Sequence, residues 1–260
     1  MTMLDPATRT ARGLAIQAEV TGKVAPPPTT PVEESWRDFI FAEVWSRPGL
    51  ERRARYLISM AGAAISGGGQ AVLDGYVRGA LAGKHLSLLE LREAALHLSV
   101  YAGWGRGGKL DRAISRVASE MGLPAADCPP IRAGAWNPDE RTAQGQANFA
   151  STMTFPGGPS VSPFLEAINN FVFGEMWCRT GLDERSRRFI TLVGVAESSS
   201  DIPIRSHIHA SMASGNCTAD EMQEFVLQYG VHAGWPKASV VQGVVFEMAK
   251  KVAAGLPWNG

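Results

Sequence analysis

Apolar positions recur at three- and four-residue steps along most of the chain, the period of amphipathic helices rather than of strands. Trp36, Phe39, Ile40, Val44 and Trp45 form one stripe, and Leu165, Ile168, Phe171, Val172 and Met176 form another. Each predicts a helix ending at a turn, Arg47-Pro48-Gly49-Leu50 in the first case and Arg179-Thr180-Gly181-Leu182 in the second. A following helix is expected from Leu50 to the Gly67-Gly68-Gly69 run, and its counterpart from Leu182 to Ser198-Ser199-Ser200. A third is expected from about Gln70 to Leu81 and from Pro203 to Ala213, with Pro203 suited to a first turn. Ser87-Leu88-Leu89-Glu90 and Thr218-Ala219-Asp220-Glu221 fit the capping box, in which hydroxyl and carboxylate satisfy free N–H groups of the first turn. Closing helices are expected over Lys109 to Glu120 and Val240 to Ala254. Two proline-rich arms, Val24 to Pro31 and Thr154 to Pro163, interrupt the pattern and read as surface segments opening each series of helices. With little strand signal, the fold class predicted is all-α.

The elements come in pairs because the sequence repeats. Ala42 to Leu57 aligns without a gap with Gly174 to Phe189 at a spacing of 132 residues, whereas Tyr101 to Gly105 matches His232 to Pro236 at 131. Asp5-Pro6, Arg9-Thr10-Ala11 and Gly13 likewise answer to Asn137-Pro138, Arg141-Thr142-Ala143 and Gly145. The period is too long for a solenoid and has the size of an ordinary domain. Two fused modules, residues 1–130 and 131–260, are therefore expected to pack about a pseudo-two-fold axis as intertwined helical bundles.

Composition narrows the partners. The chain has 260 residues with 25 basic against 25 acidic, a balance that gives no field for nucleic acid or an anionic membrane. No stretch approaches the ~20 apolar residues that span a bilayer, and the first residues lack the apolar core of a signal peptide. Cys128, Cys178 and Cys217 are isolated, with no C-x-x-C, which argues against a disulfide framework, a zinc site or a redox pair and for a cytoplasmic location.

Polar groups on apolar helices supply the candidate chemistry. Glu224, Gln228 and His232 recur at four-residue steps, and Glu93, His97 and Tyr101 repeat the stripe in the first module. Such a line implies either a satisfied network or a lined pocket. Arg205, His207, His209 and Ser211 fall on the third helix of the second module. At a spacing of 132, His207 aligns with Gly75 and His209 with Val77, so the second module is expected to host the chemistry and the first to be a degenerate copy. Arg47, Arg52, Arg53 and Arg55, and again Arg179, Arg185, Arg187 and Arg188, suit carboxylate recognition or pairing with acids such as Glu43 and Glu175. Trp104, Trp177 and Trp235 fit either an aromatic-substrate pocket or core packing. A metal site from His207, His209 and His232 is disfavoured, since residues two apart on a helix point about 200° from each other, and no metal is expected.

Taken in order, Trp177-x-Arg179-x-Gly181-Leu182 with Arg187, His207 with Gly215, Thr218-x-x-Glu221-x-x-Glu224 and Ala233-Gly234-Trp235-Pro236 resemble the carboxymuconolactone decarboxylase family. The likeness recurs in both modules and covers nearly the whole chain. It implies an alkylhydroperoxidase-like all-α fold, without the C-x-x-C of the peroxidase branch, assembling as a homo-oligomer. For fused modules that oligomer would be a trimer with pseudo-hexameric arrangement. The family's named member decarboxylates a carboxylated unsaturated lactone in aromatic-compound catabolism without metal or organic cofactor. Pro203-Ile204 stands where the family has Glu-Leu before the His207 position, and His232 replaces the tyrosine that survives as Tyr101.

On this resemblance the expected function is a cofactor-independent lyase acting on a small unsaturated carboxylic acid or lactone. Arg205 or Arg187 would clamp the carboxylate, His207 and His209 would stabilise charge and deliver the proton, and Trp235 would line the site. His232 would be a second acid/base, oriented by Glu224 through Gln228. Isomerisation, dehydration and elimination need the same groups, and a non-catalytic binding or assembly protein is the alternative of another class.

Overall fold

A computed structural model describes residues 4–67, 69–132 and 137–260. Among them are helices α1 (Pro6–Thr21), α2 (Pro31–Ser35), α3 (Arg52–Ile65), α4 (Gln70–Ala82), α5 (Leu88–Ala102) and α6 (Trp104–Glu120). The second module repeats them as α7 (Pro138–Met153), α8 (Pro163–Ala167), α9 (Glu184–Ser198), α10 (Asp201–Ala213), α11 (Ala219–Ala233) and α12 (Trp235–Ala253). No strand occurs among the described residues, and none of the helices described is long and apolar enough to cross a membrane.

The pattern of apolar residues located most of these helices and missed two. α1 and α7 precede the proline-rich arms, so the arms lie inside each module rather than at its start. Their apolar signal is faint, Gly13 and Val20 being the only buried residues of α1. Their start signals are clear in the structure. Asp5 accepts a hydrogen bond from the Thr8 N–H and Asn137 from those of Asp139 and Glu140, each followed by a proline in the first turn. Both expected capping boxes form, at Ser87–Glu90 and Thr218–Glu221. α6 and α12 begin earlier than expected because the chain turns at Gly103 (φ 94°) and Gly234 (φ 86°), where a side chain would be strained.

α2 and α8 run on into wide π-helical segments, Trp36–Trp45 and Ile168–Met176. Hydrogen bonding from residue i to i+5 places residues five apart, not four, on one face. Phe41 therefore sits beneath Trp36, with ring centroids 6.0 Å apart, and is buried in place of the expected Phe39.

α4 and α10 are both 13 residues long, and their first residues, Gln70 and Asp201, stand 131 apart. The one-residue indel thus lies in the connection just before them. His207 corresponds to Tyr76 and His209 to Arg78, which corrects the alignment with Gly75 and Val77.

The modules interlock reciprocally: α5 packs on α9, α11 packs on α3, and α3 meets α9 between them. One core cluster spans both modules and includes Trp45, Tyr56, Tyr76, Leu98, Phe189, Phe225 and Tyr229. Each fully buried side chain of this kind contributes roughly 1.5–3 kcal/mol, so separating the modules would expose a large part of the core. Glycines set the closeness of the crossing. A Cβ on Gly62 would lie 3.0 Å from the His232 Cβ, and one on Gly194 would lie 2.7 Å from the Tyr101 Cβ.

Candidate functional site

The two polar stripes are buried between modules, each against the arginines of the other. Glu224 on α11 receives bidentate hydrogen bonds from Arg47, at 2.8 Å from Nε, and a further one of 2.8 Å from Arg55. Arg55 also donates to Gln228 at 2.8 Å, and Gln228 donates to Ser59 at 2.8 Å. In the mirror-related place, Glu93 on α5 receives Arg179 at 2.7 Å and Arg187 at 3.4 Å, and His97 meets Thr191 at 2.9 Å. Burial alone would raise the Glu224 pKa, but the hydrogen bonds and charges of Arg47 and Arg55 outweigh it and hold the group ionised. Burial in turn lowers the pKa of Arg55 and Arg187. In both clusters a glutamate of one module is held by arginines of the other, which ties the modules together, and Arg187 Nε and His97 Nδ1 are buried without a hydrogen-bond partner.

At the far end of each stripe stands a tyrosine–histidine pair, and the partners have exchanged helices. In one pair His232 comes from α11 and Tyr76 from α4: the rings are perpendicular, 5.6 Å apart, with His232 Nε2 3.3 Å from the Tyr76 hydroxyl. In the other, Tyr101 comes from α5 and His207 from α10, again perpendicular and 5.5 Å apart. The Tyr101 hydroxyl accepts a 2.8 Å hydrogen bond from Trp177 Nε1. Burial lowers the His232 pKa to about 4 and, with Arg188 adding repulsion, that of His207 to about 3. Burial raises Tyr101 to about 12 and pushes Tyr76 up as well. Both pairs are therefore neutral near pH 7.

The pairs differ in access. A cavity of about 490 Å³ opens between α1, the first proline-rich arm, the Trp36–Trp45 segment and α4, and Tyr76 forms part of its wall. Trp36, also on the wall, lies 5.8 Å from the His232 ring. A second cavity of about 510 Å³, lined by Leu86, Glu90, Met121 and Leu123 among others, touches neither pair. In the second module, Phe149 and Met153 occupy the places of Gln17 and Thr21 in the first. Phe149 packs on Phe173 at 4.6 Å and on Phe155 at 5.5 Å, and Phe155 meets Trp258 at 6.0 Å. Met153, Phe173, Trp177 and Ala210 form a separate apolar cluster, with Tyr101 packed against it. Bulkier apolar side chains thus stand on the Tyr101 side at the positions that line the cavity on the Tyr76 side.

The sequence model of the carboxymuconolactone decarboxylase family matches residues 31–110 and 162–245, more than half of the chain and once in each module. The chain belongs to the carboxymuconolactone decarboxylase family. Two relatives agree with this. The 4-carboxymuconolactone decarboxylase of Acinetobacter baylyi is 29% identical over 87 residues, 34% of this chain and 64% of the relative. The nitrosuccinic acid decarboxylase npaB of Metarhizium robertsii is 33% identical over 99 residues, 35% of this chain and 68% of the relative.

In this member of the carboxymuconolactone decarboxylase family the sequence-predicted residues are divided among several places. Glu224, Gln228 and His232 lie along one stripe, but Gln228 bonds to Arg55 and Ser59 instead of linking Glu224 to His232. His207 and Arg187 belong to the other stripe. Arg187 is buried and committed to Glu93 and to the Arg179 carbonyl. Arg205 pairs with Asp201 at 2.7 Å and with Glu247 at the surface. His209 turns away and meets the Leu256 carbonyl at 2.9 Å. The three histidines do not converge, and no group of metal-ligating side chains forms among the described residues. Trp235 packs edge-on to Phe39 and against Gly230. Glu43 and Glu175 pair with Arg9 and with Arg132 and Arg141, not with the clustered arginines. Sequence reasoning missed Tyr76, Trp36, Gln17 and Thr21. For Tyr76 the signal was present, since placing the indel one connection earlier brings it opposite His207.

Proposed function

We propose that the chain is a lyase that removes CO2 from an unsaturated carboxylic acid or lactone acid, and that the reaction runs at Tyr76 and His232. The observation that carries this reading is a neutral, hydrogen-bonded tyrosine–histidine pair beside a cavity of about 490 Å³. The two named relatives, both decarboxylases, support CO2 loss over other proton transfers.

When the bond to the carboxylate breaks, CO2 leaves without the electron pair, which stays on the substrate and spreads onto its conjugated carbonyl. The carbon must then be reprotonated. Tyr76, which lines the cavity, donates that proton. The proton returns from solvent through His232, whose ring takes one up at one nitrogen as it releases another toward the Tyr76 oxygen 3.3 Å away. Keeping His232 neutral matters here, because an imidazolium could not accept from solvent. The fused copy supplies α11, and with it His232, so neither module builds the site alone. Tyr76→Phe removes the transferable proton and leaves the ring; turnover should fall by about 10²-fold or more, read as CO2 release on a panel of carboxylated lactones and unsaturated acids. Full turnover by a folded Tyr76→Phe protein would sink the assignment.

A further inference from the structure

The wall of the Tyr76 cavity also says what kind of acid would fill it. Trp36 and Phe41 stand on one side, aligned by the π-helical turn, and Pro26 to Pro28 cover the other. The one arginine on the wall is paired, and the one carboxylate there is hydrogen-bonded but stays an anion. Arg37 holds Asp38 through two hydrogen bonds, the longer at 2.8 Å. The Glu33 carboxylate accepts from the Thr29 N–H at 2.6 Å and from its hydroxyl at 2.8 Å. A volume of about 490 Å³ falls within the roughly 300–1,000 Å³ typical of sites for drug-sized ligands, and a single-ring acid would leave much of it wet.

Resting on the reading of Tyr76 and His232 given above, we propose that this cavity takes a planar monoacid of two or more fused rings. The rings lie between Trp36, Phe41 and the proline arm, and the acid end faces Tyr76. A second carboxylate would have to give up its water for a wall without an unpaired cation, so diacids are disfavoured. Gln17 and Thr21 are among the residues that line the cavity. Their counterparts Phe149 and Met153 show that the same fold accommodates bulk at these positions.

The test measures binding of benzoate, 2-naphthoate, anthracene-2-carboxylate and naphthalene-2,6-dicarboxylate by calorimetry. Affinity should rise by about tenfold or more from benzoate to 2-naphthoate as apolar area is buried, and the dicarboxylate should bind more weakly than 2-naphthoate. Gln17→Phe and Thr21→Met should each weaken 2-naphthoate by about tenfold with less effect on benzoate. Ala71→Ile at the exposed rim, which installs the residue found at Ile202, should act in the same direction and provides a variant whose folding is not at stake. Equal affinity across ring sizes, or a 2-naphthoate affinity that none of the three substitutions changes, would overturn the proposal. Ring-size preference in a protein whose Tyr76→Phe variant retains full turnover would sink the catalytic reading and leave the ligand class standing; a Tyr76→Phe protein that is dead but shows no ring preference would do the reverse.

Discussion

The two tyrosine–histidine pairs share a perpendicular geometry, with centroids 5.6 Å apart at Tyr76–His232 and 5.5 Å apart at Tyr101–His207, yet one borders a cavity and the other lies against an apolar cluster. Duplication supplied both with the same frame: an arginine-held glutamate on the crossing helix, a glycine that lets that helix approach, and a π-helical segment opposite. Divergence acted on the neighbours. Gln17 and Thr21 leave space where Phe149 and Met153 occupy it, and Trp36 stands where the second module has Ile168. The comparison teaches that neutral, buried histidines are a property of the scaffold. What separates a candidate catalytic pair from its structural twin is room for a ligand.

The sharpest way to break this comparison is to remove each histidine in turn. His232→Ala should lower turnover by about 10²–10⁴-fold, whereas His207→Ala should leave it within a few-fold and act on stability. Next in size are the glutamates. Glu93 and its arginine partners are almost wholly buried, and Glu93→Ala strands both guanidinium groups, an expected loss of about 3–5 kcal/mol. Glu224→Ala should cost less in urea unfolding, because Arg47 is about a third exposed and can turn to water. A larger loss at Glu224 would mean that the two networks are not the copies they look like.

Acid sensitivity gives a smaller effect with a defined sign. Burial holds His232 at about 4 and His207 at about 3 in the folded protein, below the value near 6.5 expected when unfolded. Between those values the unfolded chain binds protons that the folded chain does not. Stability is therefore fully present above about pH 6.5 and falls on acidification by up to about 1.4 kcal/mol per pH unit for each histidine. Thermal unfolding from pH 7 to 4 should show this slope, and His207→Ala should flatten it. At the small end, Arg205→Ala removes partly exposed ion pairs, should cost about 0.2–1 kcal/mol, and should leave turnover unchanged.

The helices with strong apolar stripes or capping boxes, from Arg52–Ile65 to Trp104–Glu120 and their copies, were legible in the sequence, as was the fused repeat. α1 and α7 were not, because little of their surface is apolar. The stripes Glu93–His97–Tyr101 and Glu224–Gln228–His232 were recognised, but a helix face does not say which module it will meet, and the exchange of Tyr and His between helices is visible only once the crossing is known. Histidine count pointed to the second module. The cavity depends on side-chain volume at Gln17, Thr21, Phe149 and Met153, positions that carry no chemical signal of their own.

The most direct test of the account is a side-by-side single-turnover assay of the parent protein, His232→Ala and His207→Ala on carboxylated lactones and unsaturated ring acids, following CO2 and ultraviolet absorbance together. The account predicts CO2 release by the parent and by His207→Ala, and its loss in His232→Ala with the fold intact. Retention of CO2 release in His232→Ala together with its loss in His207→Ala would contradict it and place the chemistry in the packed pair instead.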